Sequence, residues 1–153
     1  MSDLKSILQC FTDAIEQPCR FRKQISVQEK GVKYFANVTP ERDTAVLQVD
    51  GKIIAKGQKC DKLILSKDPK SEVCTIGHFV ELKGCDIPHA IEQLEATISS
   101  TIFNSVDQKF ARIVGNSFPA SKANPIVEKA RVQFKKRFNC NLKTLKSNQP
   151  DRI

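Results

Sequence analysis

The feature that most constrains the fold is a stretch of alternating residues that ends in two charged groups. Val80 and Leu82 alternate with Glu81 and Lys83, and alternate side chains of a β-strand share one face of a sheet. Glu81 and Lys83 should therefore lie side by side. Asp61 stands twenty residues earlier, in a second short apolar run. Two neighbouring strands would bring the three charges together, and clusters of carboxylates bind divalent metal ions.

Length and composition predict one domain of ordinary size, residues 1–153. Of the 153 residues, 40% are hydrophobic, and a chain of this length buries roughly two thirds of its unfolded surface. The apolar runs are far shorter than the ~20 residues of a membrane span. The first residues carry acid and amide groups where an export signal would be basic and then apolar. We expect a cytoplasmic protein with no membrane partner.

The cysteines favour reduced thiols. There are six, none in a CxxC pair, and several lie in apolar runs, where packed cysteines are common. Cys74 and His78 are four residues apart, as are Cys85 and His89, which leaves a zinc site open as an alternative. Positions four apart on a strand are, however, about 13 Å distant.

Positive charge is concentrated near the end of the chain. The net charge is +8, and residues 122–153 hold nine basic and two acidic side chains. Such a field attracts polyanions, most commonly nucleic acid, although a solvated helix face could have the same composition. We expect DNA as the partner. The predicted phosphate contacts are Lys122, Lys129, Arg131, Lys135, Lys136, Arg137 and Lys143.

Hydrophobic periodicity predicts three helices among several strands. An amphipathic pattern covers residues 3–17, Asp86 can cap a second helix, and Asn124 can cap a third that runs to 138. This order predicts an α/β fold with a central mixed β-sheet flanked by helices on both faces. The predicted strands are one or two within 21–38, a hairpin of 45–49 and 52–55 around Asp50-Gly51, and single strands at 59–66, 73–83 and 110–115.

With Asp61, Glu81-Leu82-Lys83 and then Gln93 in that order, the chain resembles the PD-(D/E)XK nuclease superfamily. These are the restriction-endonuclease-like folds that include Holliday-junction resolvases, with a core of helix, three strands, helix and strand. The resemblance covers residues 1–116, and the basic helix at 124–138 is an addition. Lys59-Cys60 precedes Asp61 where a proline is common in the family, and Thr97 stands where a tyrosine is often found.

The resemblance implies a Mg²⁺- or Mn²⁺-dependent endodeoxyribonuclease that hydrolyses phosphodiester bonds, including those of branched or structured DNA. Asp61, Glu81 and the Leu82 carbonyl would be metal ligands, and Lys83 would position or help deprotonate the attacking water. Gln93 would support the site from the following helix, and Glu16, expected on the first helix, would be an additional acid. Resolution of branched DNA would require a homodimer. The alternative is an inactive nuclease fold that binds nucleic acid or protein.

Overall fold

The computed structural model describes residues 3–71, 74–82, 86–116 and 124–153. Short single-turn 3₁₀ helices at Thr12–Ala14 and Thr101–Phe103 accompany the main elements. In chain order these are α1 (Leu4–Cys10), β1 (Ile15–Glu29), β2 (Val32–Gln48), β3 (Lys62–Lys67), β4 (Thr75–Leu82), α2 (Ile87–Ile98), β5 (Gln108–Gly115), α3 (Pro125–Phe138), β6 (Asn141–Lys146) and β7 (Pro150–Arg152).

All seven of these strands belong to one mixed sheet. Its order is β1-β2-β3-β4-β5-β6, and β7 pairs with β2 outside this path. From β1 to β4 each strand is antiparallel to the next, whereas β4, β5 and β6 are parallel. The helices α2 and α3 are the crossover connections that parallel neighbours require. In the described part of the chain, no helix is long and apolar enough to cross a membrane.

A tight turn at Lys30-Gly31 joins the two longest strands. Glu29 pairs with Val32 across the turn, and both central residues have positive φ, 50° for Lys30 and 77° for Gly31. These angles are typical of the primed two-residue hairpin turn, which favours glycine. The hairpin predicted around Asp50-Gly51 is wrong, because the chain after β2 forms an irregular turn there, with one isolated bridge from Asp50 to Ile54.

The two faces of the sheet are covered in different ways. On one face, α1, α2 and α3 pack with the sheet in a single hydrophobic cluster that includes Leu63, Phe79 and Phe134. On the other face, Ile64 and Val80 lie in a second cluster. That cluster contains no helical residue of the described chain, since it is built from the strands themselves and from Ile153.

The predicted fold class, a restriction-endonuclease-like core with helices on both faces, is therefore wrong. The structure is dominated by its seven-stranded sheet, and the three helices share one cluster on one face. The physical reason is the length of the β1–β2 hairpin. Its far end supplies apolar side chains such as Val27 and Tyr34, which cover the face that a helix was expected to cover.

Local signals predicted several elements correctly. Asp86 caps α2 by accepting a hydrogen bond from the His89 N–H at 3.2 Å, and Asn124 caps α3 through the Ile126 N–H at 2.9 Å. The strands predicted near 59–66, 73–83 and 110–115 are present as β3, β4 and β5. The first helix ends at Cys10, well short of the predicted end at residue 17.

Candidate active site

Asp61 and Glu81 meet at the end of the β3–β4 pair. Lys62 is paired with Val80 in the antiparallel register, so the next positions outward, Asp61 and Glu81, stand opposite each other. Asp61 Oδ2 accepts a hydrogen bond from the Leu82 N–H at 2.8 Å. Asp61 is partly buried, and Glu81 is only 1% exposed. The structure thus brings together the two carboxylates that the sequence singled out.

The neighbours of this pair experience its negative charge. Burial raises the pKa of the Cys60 thiol well above its usual value, and the charges of Glu81 and Asp61 raise it further. Burial also raises the pKa of Glu29, with the Asp61 charge as the next largest cause. A carboxylate cluster that makes its neighbours harder to ionise favours the binding of a cation.

Helix α2 is fastened to the segment that precedes Asp61. Gln93 Nε2 donates a hydrogen bond to the Lys59 carbonyl at 3.1 Å. The Cys60 N–H donates to Thr97 Oγ1 at 2.8 Å, and that hydroxyl donates to the Gln93 carbonyl. The buried Gln93 Oε1 has no hydrogen-bond partner within the described chain. The Gln93 amide therefore holds the main chain at Lys59, two residues before Asp61.

Glu16 lies on a different element from the one predicted. It belongs to β1, and its carboxylate forms an ion pair with Lys62. Lys62 alternates with Leu63, whose side chain is in the helix-side cluster, so Lys62 points toward the other face. The expectation that Glu16 is on the first helix is wrong, because that helix ends too early.

Lys62 is a residue that sequence reasoning missed. Its side chain is 5% exposed, and its Nζ lies 4.0 Å from Glu29 Oε2 in addition to its contact with Glu16. Its position at the start of an apolar strand, directly after Asp61, could have singled out this lysine in the sequence. Its partners come from β1, however, and they could not be identified without the pairing of the strands.

Two of the predicted site residues, Lys83 and Lys122, lie outside the residues that the structure describes. Leu82, the third predicted metal ligand, is the last residue of β4, and only its carbonyl was expected to bind. Within the described ranges, no group of three or more histidine, cysteine, aspartate or glutamate side chains could hold a metal ion.

The basic helix forms where the sequence predicted it. Val127, Ala130 and Phe134 are its buried residues, and it packs in the same cluster as α2, on the helix side of the sheet. Arg137 forms an ion pair with Glu95 of α2, so one predicted phosphate contact also joins the two helices.

The remaining basic residues divide into paired and unpaired groups. Arg131 pairs with Glu128, and Lys143 lies 3.3 Å from Asp151 Oδ1. Three predicted contacts are exposed and form no ion pair with the described residues: Lys129, Lys135 and Lys136. These three lysines, which we call the lysine triad, are the cations of the helix most available to a polyanion.

We compared the chain with protein-family models, curated proteins and solved structures, and none of them matches it.

Proposed function

We propose that the chain is a metal-dependent nuclease that hydrolyses phosphodiester bonds in DNA. The observation that carries this proposal is the pairing of Asp61 with Glu81 across β3 and β4, fixed by the hydrogen bond from the Leu82 N–H. The resemblance of this motif to that of the PD-(D/E)XK nucleases supports the proposal. The predicted fold class is not part of it.

The donor set suits Mg²⁺ or Mn²⁺. Asp61 and Glu81 offer carboxylate oxygens and Leu82 a carbonyl, and Mg²⁺ is commonly held by one or two carboxylates with water completing its shell. The hydrogen bond from Leu82 occupies one Asp61 oxygen at 2.8 Å and orients the other. When bound, such a metal supplies Lewis-acid stabilisation of a phosphoryl oxygen and a lowered pKa for bound water.

The other residues have supporting roles in this proposal. Lys83, two residues beyond Glu81 in the sequence, would hold the attacking water or stabilise the charge that develops on phosphorus. Gln93 is a positioning residue, because its amide bonds the Lys59 carbonyl two residues before Asp61. The lysine triad would bind the phosphates of the substrate on the helix side of the sheet.

A second function is favoured by one specific observation. The exposed lysine triad, which forms no ion pair with the described residues, would serve a module that binds nucleic acid without cutting it equally well. Binding without cleavage would identify this alternative.

Cleavage tests the proposal directly. Wild-type protein should cut plasmid, branched or single-stranded DNA in Mg²⁺ or Mn²⁺ but not in EDTA. Asp61→Asn keeps an oxygen that accepts the Leu82 hydrogen bond, and Glu81→Gln keeps the buried shape, so both should fold and lose cleavage by about a hundredfold or more. Asp50→Asn is the matched control, since Asp50 is a half-exposed acid outside the pair, and cleavage by this variant should be normal. Wild-type turnover by Asp61→Asn would refute the assignment.

DNA binding tests the lysine triad. Changing all three lysines to glutamine should weaken binding to every sequence alike and reduce the salt slope of log affinity by about 0.9 per lost contact. A matched control variant carries glutamine at three exposed lysines elsewhere in the chain: Lys5, Lys56 and Lys70. If both triple variants bind DNA equally well, the basic helix is a solvated face.

A further inference from the structure

A small cavity lies on the face of the sheet opposite the Asp61–Glu81 pair. Its volume is about 220 Å³, and its lining includes Arg42, His78, Phe110, Arg112 and Arg152. On β4, His78 is next to Phe79, whose side chain lies in the helix-side cluster. Neighbouring residues of a strand point to opposite faces, so His78 points away from the helices. The cavity, which we call the arginine pocket, is therefore separate from the candidate active site.

Apolar residues such as Ile76 contribute to the lining of the arginine pocket, which also includes three buried polar side chains. Arg42 is 6% exposed, and His78 and Arg112 are each 3% exposed. The His78 ring stacks on Phe110, with ring centres 4.7 Å apart and planes within 9° of parallel. This stacking fixes the imidazole plane, yet His78 Nδ1 is buried without a hydrogen-bond partner in the described chain. The imidazole is thus held on the pocket side of the sheet by packing against Phe110.

The buried arginines of the pocket have different partners. Arg112 donates a hydrogen bond to Asp151 at 2.6 Å, which compensates its charge. Arg42 donates to the Ser66 hydroxyl and to the main-chain oxygens of Pro40 and Ile153, and no described side-chain carboxylate forms an ion pair with it. Burial lowers the pKa of Arg42, opposed by the charge of Asp68. The described lining of the pocket thus holds three arginines and no acidic side chain, an arrangement that attracts an anion.

The protonation of His78 is also compatible with a bound anion. Burial lowers the pKa of His78 well below its usual value, assisted by the charges of Arg112, Arg42 and Lys143 and opposed by that of Asp151. The ring is therefore neutral at pH 7. A neutral imidazole carries one N–H group, which can donate a hydrogen bond to an oxyanion.

We propose that the arginine pocket binds a phosphate-sized oxyanion, as inorganic phosphate or as the phosphoryl group of a small phosphate ester. Guanidinium groups recognise this chemistry through paired, charge-assisted hydrogen bonds. At about 220 Å³, the cavity is smaller than the ~300 Å³ at which sites for drug-sized ligands begin. It accommodates a phosphoryl group and does not enclose a whole nucleotide.

The two histidines of the chain provide the assay. His78 lines the pocket, whereas His89 lies on α2 and serves as an internal reference. In ¹⁵N-labelled protein at constant pH and ionic strength, inorganic phosphate should shift the His78 imidazole signals saturably and leave those of His89 unchanged. An equal concentration of chloride should have no such effect. The absence of a saturable His78 shift, or equal shifts in both histidines, would overturn the proposal.

Variants separate a true site from general anion effects. Arg42→Gln and Arg152→Gln should each weaken phosphate binding by about tenfold, the effect of losing one charge-assisted hydrogen bond. Arg152 is exposed, so its variant should fold even if Arg42→Gln does not. Arg20→Gln, at an exposed arginine of β1, is the matched control and should bind normally. Unchanged binding in folded Arg152→Gln would contradict the proposal.

The source of the phosphoryl group is identified by comparing ligands. Inorganic phosphate, methyl phosphate and a 5′-phosphorylated dinucleotide are each titrated against the wild-type protein, with the unphosphorylated dinucleotide as control. Tighter binding of either ester assigns the pocket to phosphate esters, and tighter binding of inorganic phosphate assigns it to the free ion. Equal binding of the unphosphorylated dinucleotide would overturn recognition of the phosphoryl group.

Discussion

Replacing Asp151 with asparagine should strongly destabilise the fold. This carboxylate is 4% exposed, and it accepts hydrogen bonds from Tyr34 Oη at 2.5 Å, Arg112 Nε at 2.6 Å and Lys143 Nζ at 3.3 Å. Arg112 is itself buried, so Asp151→Asn leaves its guanidinium without a compensating charge. Breaking a buried ion pair in this way costs about 3–5 kcal/mol of unfolding free energy.

The pH dependence of stability gives a second value for the contribution of Asp151 to the unfolding free energy. Hydrogen bonds from Tyr34 and the charge of Arg112 outweigh the effect of burial and lower the pKa of Asp151 from 3.8 to about 2. A carboxylate whose pKa is lower in the folded state stabilises the fold above its unfolded pKa, and this contribution is lost as the pH falls toward the folded pKa. The contribution is about 2 kcal/mol at pH 7, and about 1 kcal/mol of it is lost by pH 3.

Urea denaturation of wild type and Asp151→Asn between pH 7 and pH 3 measures both quantities. The difference in unfolding free energy should be about 3–5 kcal/mol at pH 7 and should shrink by about 1 kcal/mol at pH 3. Asp43→Asn, at an exposed acid of β2, is the control and should stay within about 0.5 kcal/mol of wild type. A difference below about 1 kcal/mol at pH 7, or one that does not change with pH, would refute this reasoning.

Three further predictions concern other parts of the fold. Phe134→Ala should lower the unfolding free energy measured in urea by about 3–5 kcal/mol, because Phe134 is 1% exposed. Val132→Ala, at a site that is 67% exposed, should lower it by less than about 0.5 kcal/mol. Equal losses of stability in the two variants would contradict the orientation of α3. Lys62→Met should raise the pKa of Glu29 further, because the Lys62 charge lowers it. Carboxyl NMR would measure this rise, and a fall would contradict the prediction. Tyr34→Phe should cost about 1–3 kcal/mol through the lost hydrogen bond, and an unchanged stability would contradict it.

The parts of the fold that the sequence predicted are those set by local signals. Caps at Asp86 and Asn124 mark the starts of α2 and α3, and an N-cap satisfies main-chain donors within a few residues. The alternation through Glu81 likewise predicted β4. The proximity of Asp61 and Glu81 could also be predicted, because β3 and β4 are consecutive strands that pair with each other.

The parts that were missed depend on distant pairing. The sequence pattern predicts a first helix that runs to residue 17, but Pro18 lies within β1, which is an edge strand where proline is tolerated. The parallel pairing of β7 with β2 places Asp151 beside Ala36, and neither sequence segment signals the other. For the same reason the contact between Lys62 and Glu16 could not be predicted from spacing.

The central claim is that Asp61 and Glu81 share one divalent-metal site, and calorimetric titration with Mn²⁺ tests it most directly. The wild-type protein should bind one Mn²⁺ at this site, folded Asp61→Asn and Glu81→Gln should each lose that binding, and Asp50→Asn should retain it. Equal Mn²⁺ binding by wild type, Asp61→Asn and Glu81→Gln would contradict the account, as would the absence of any binding by the wild-type protein.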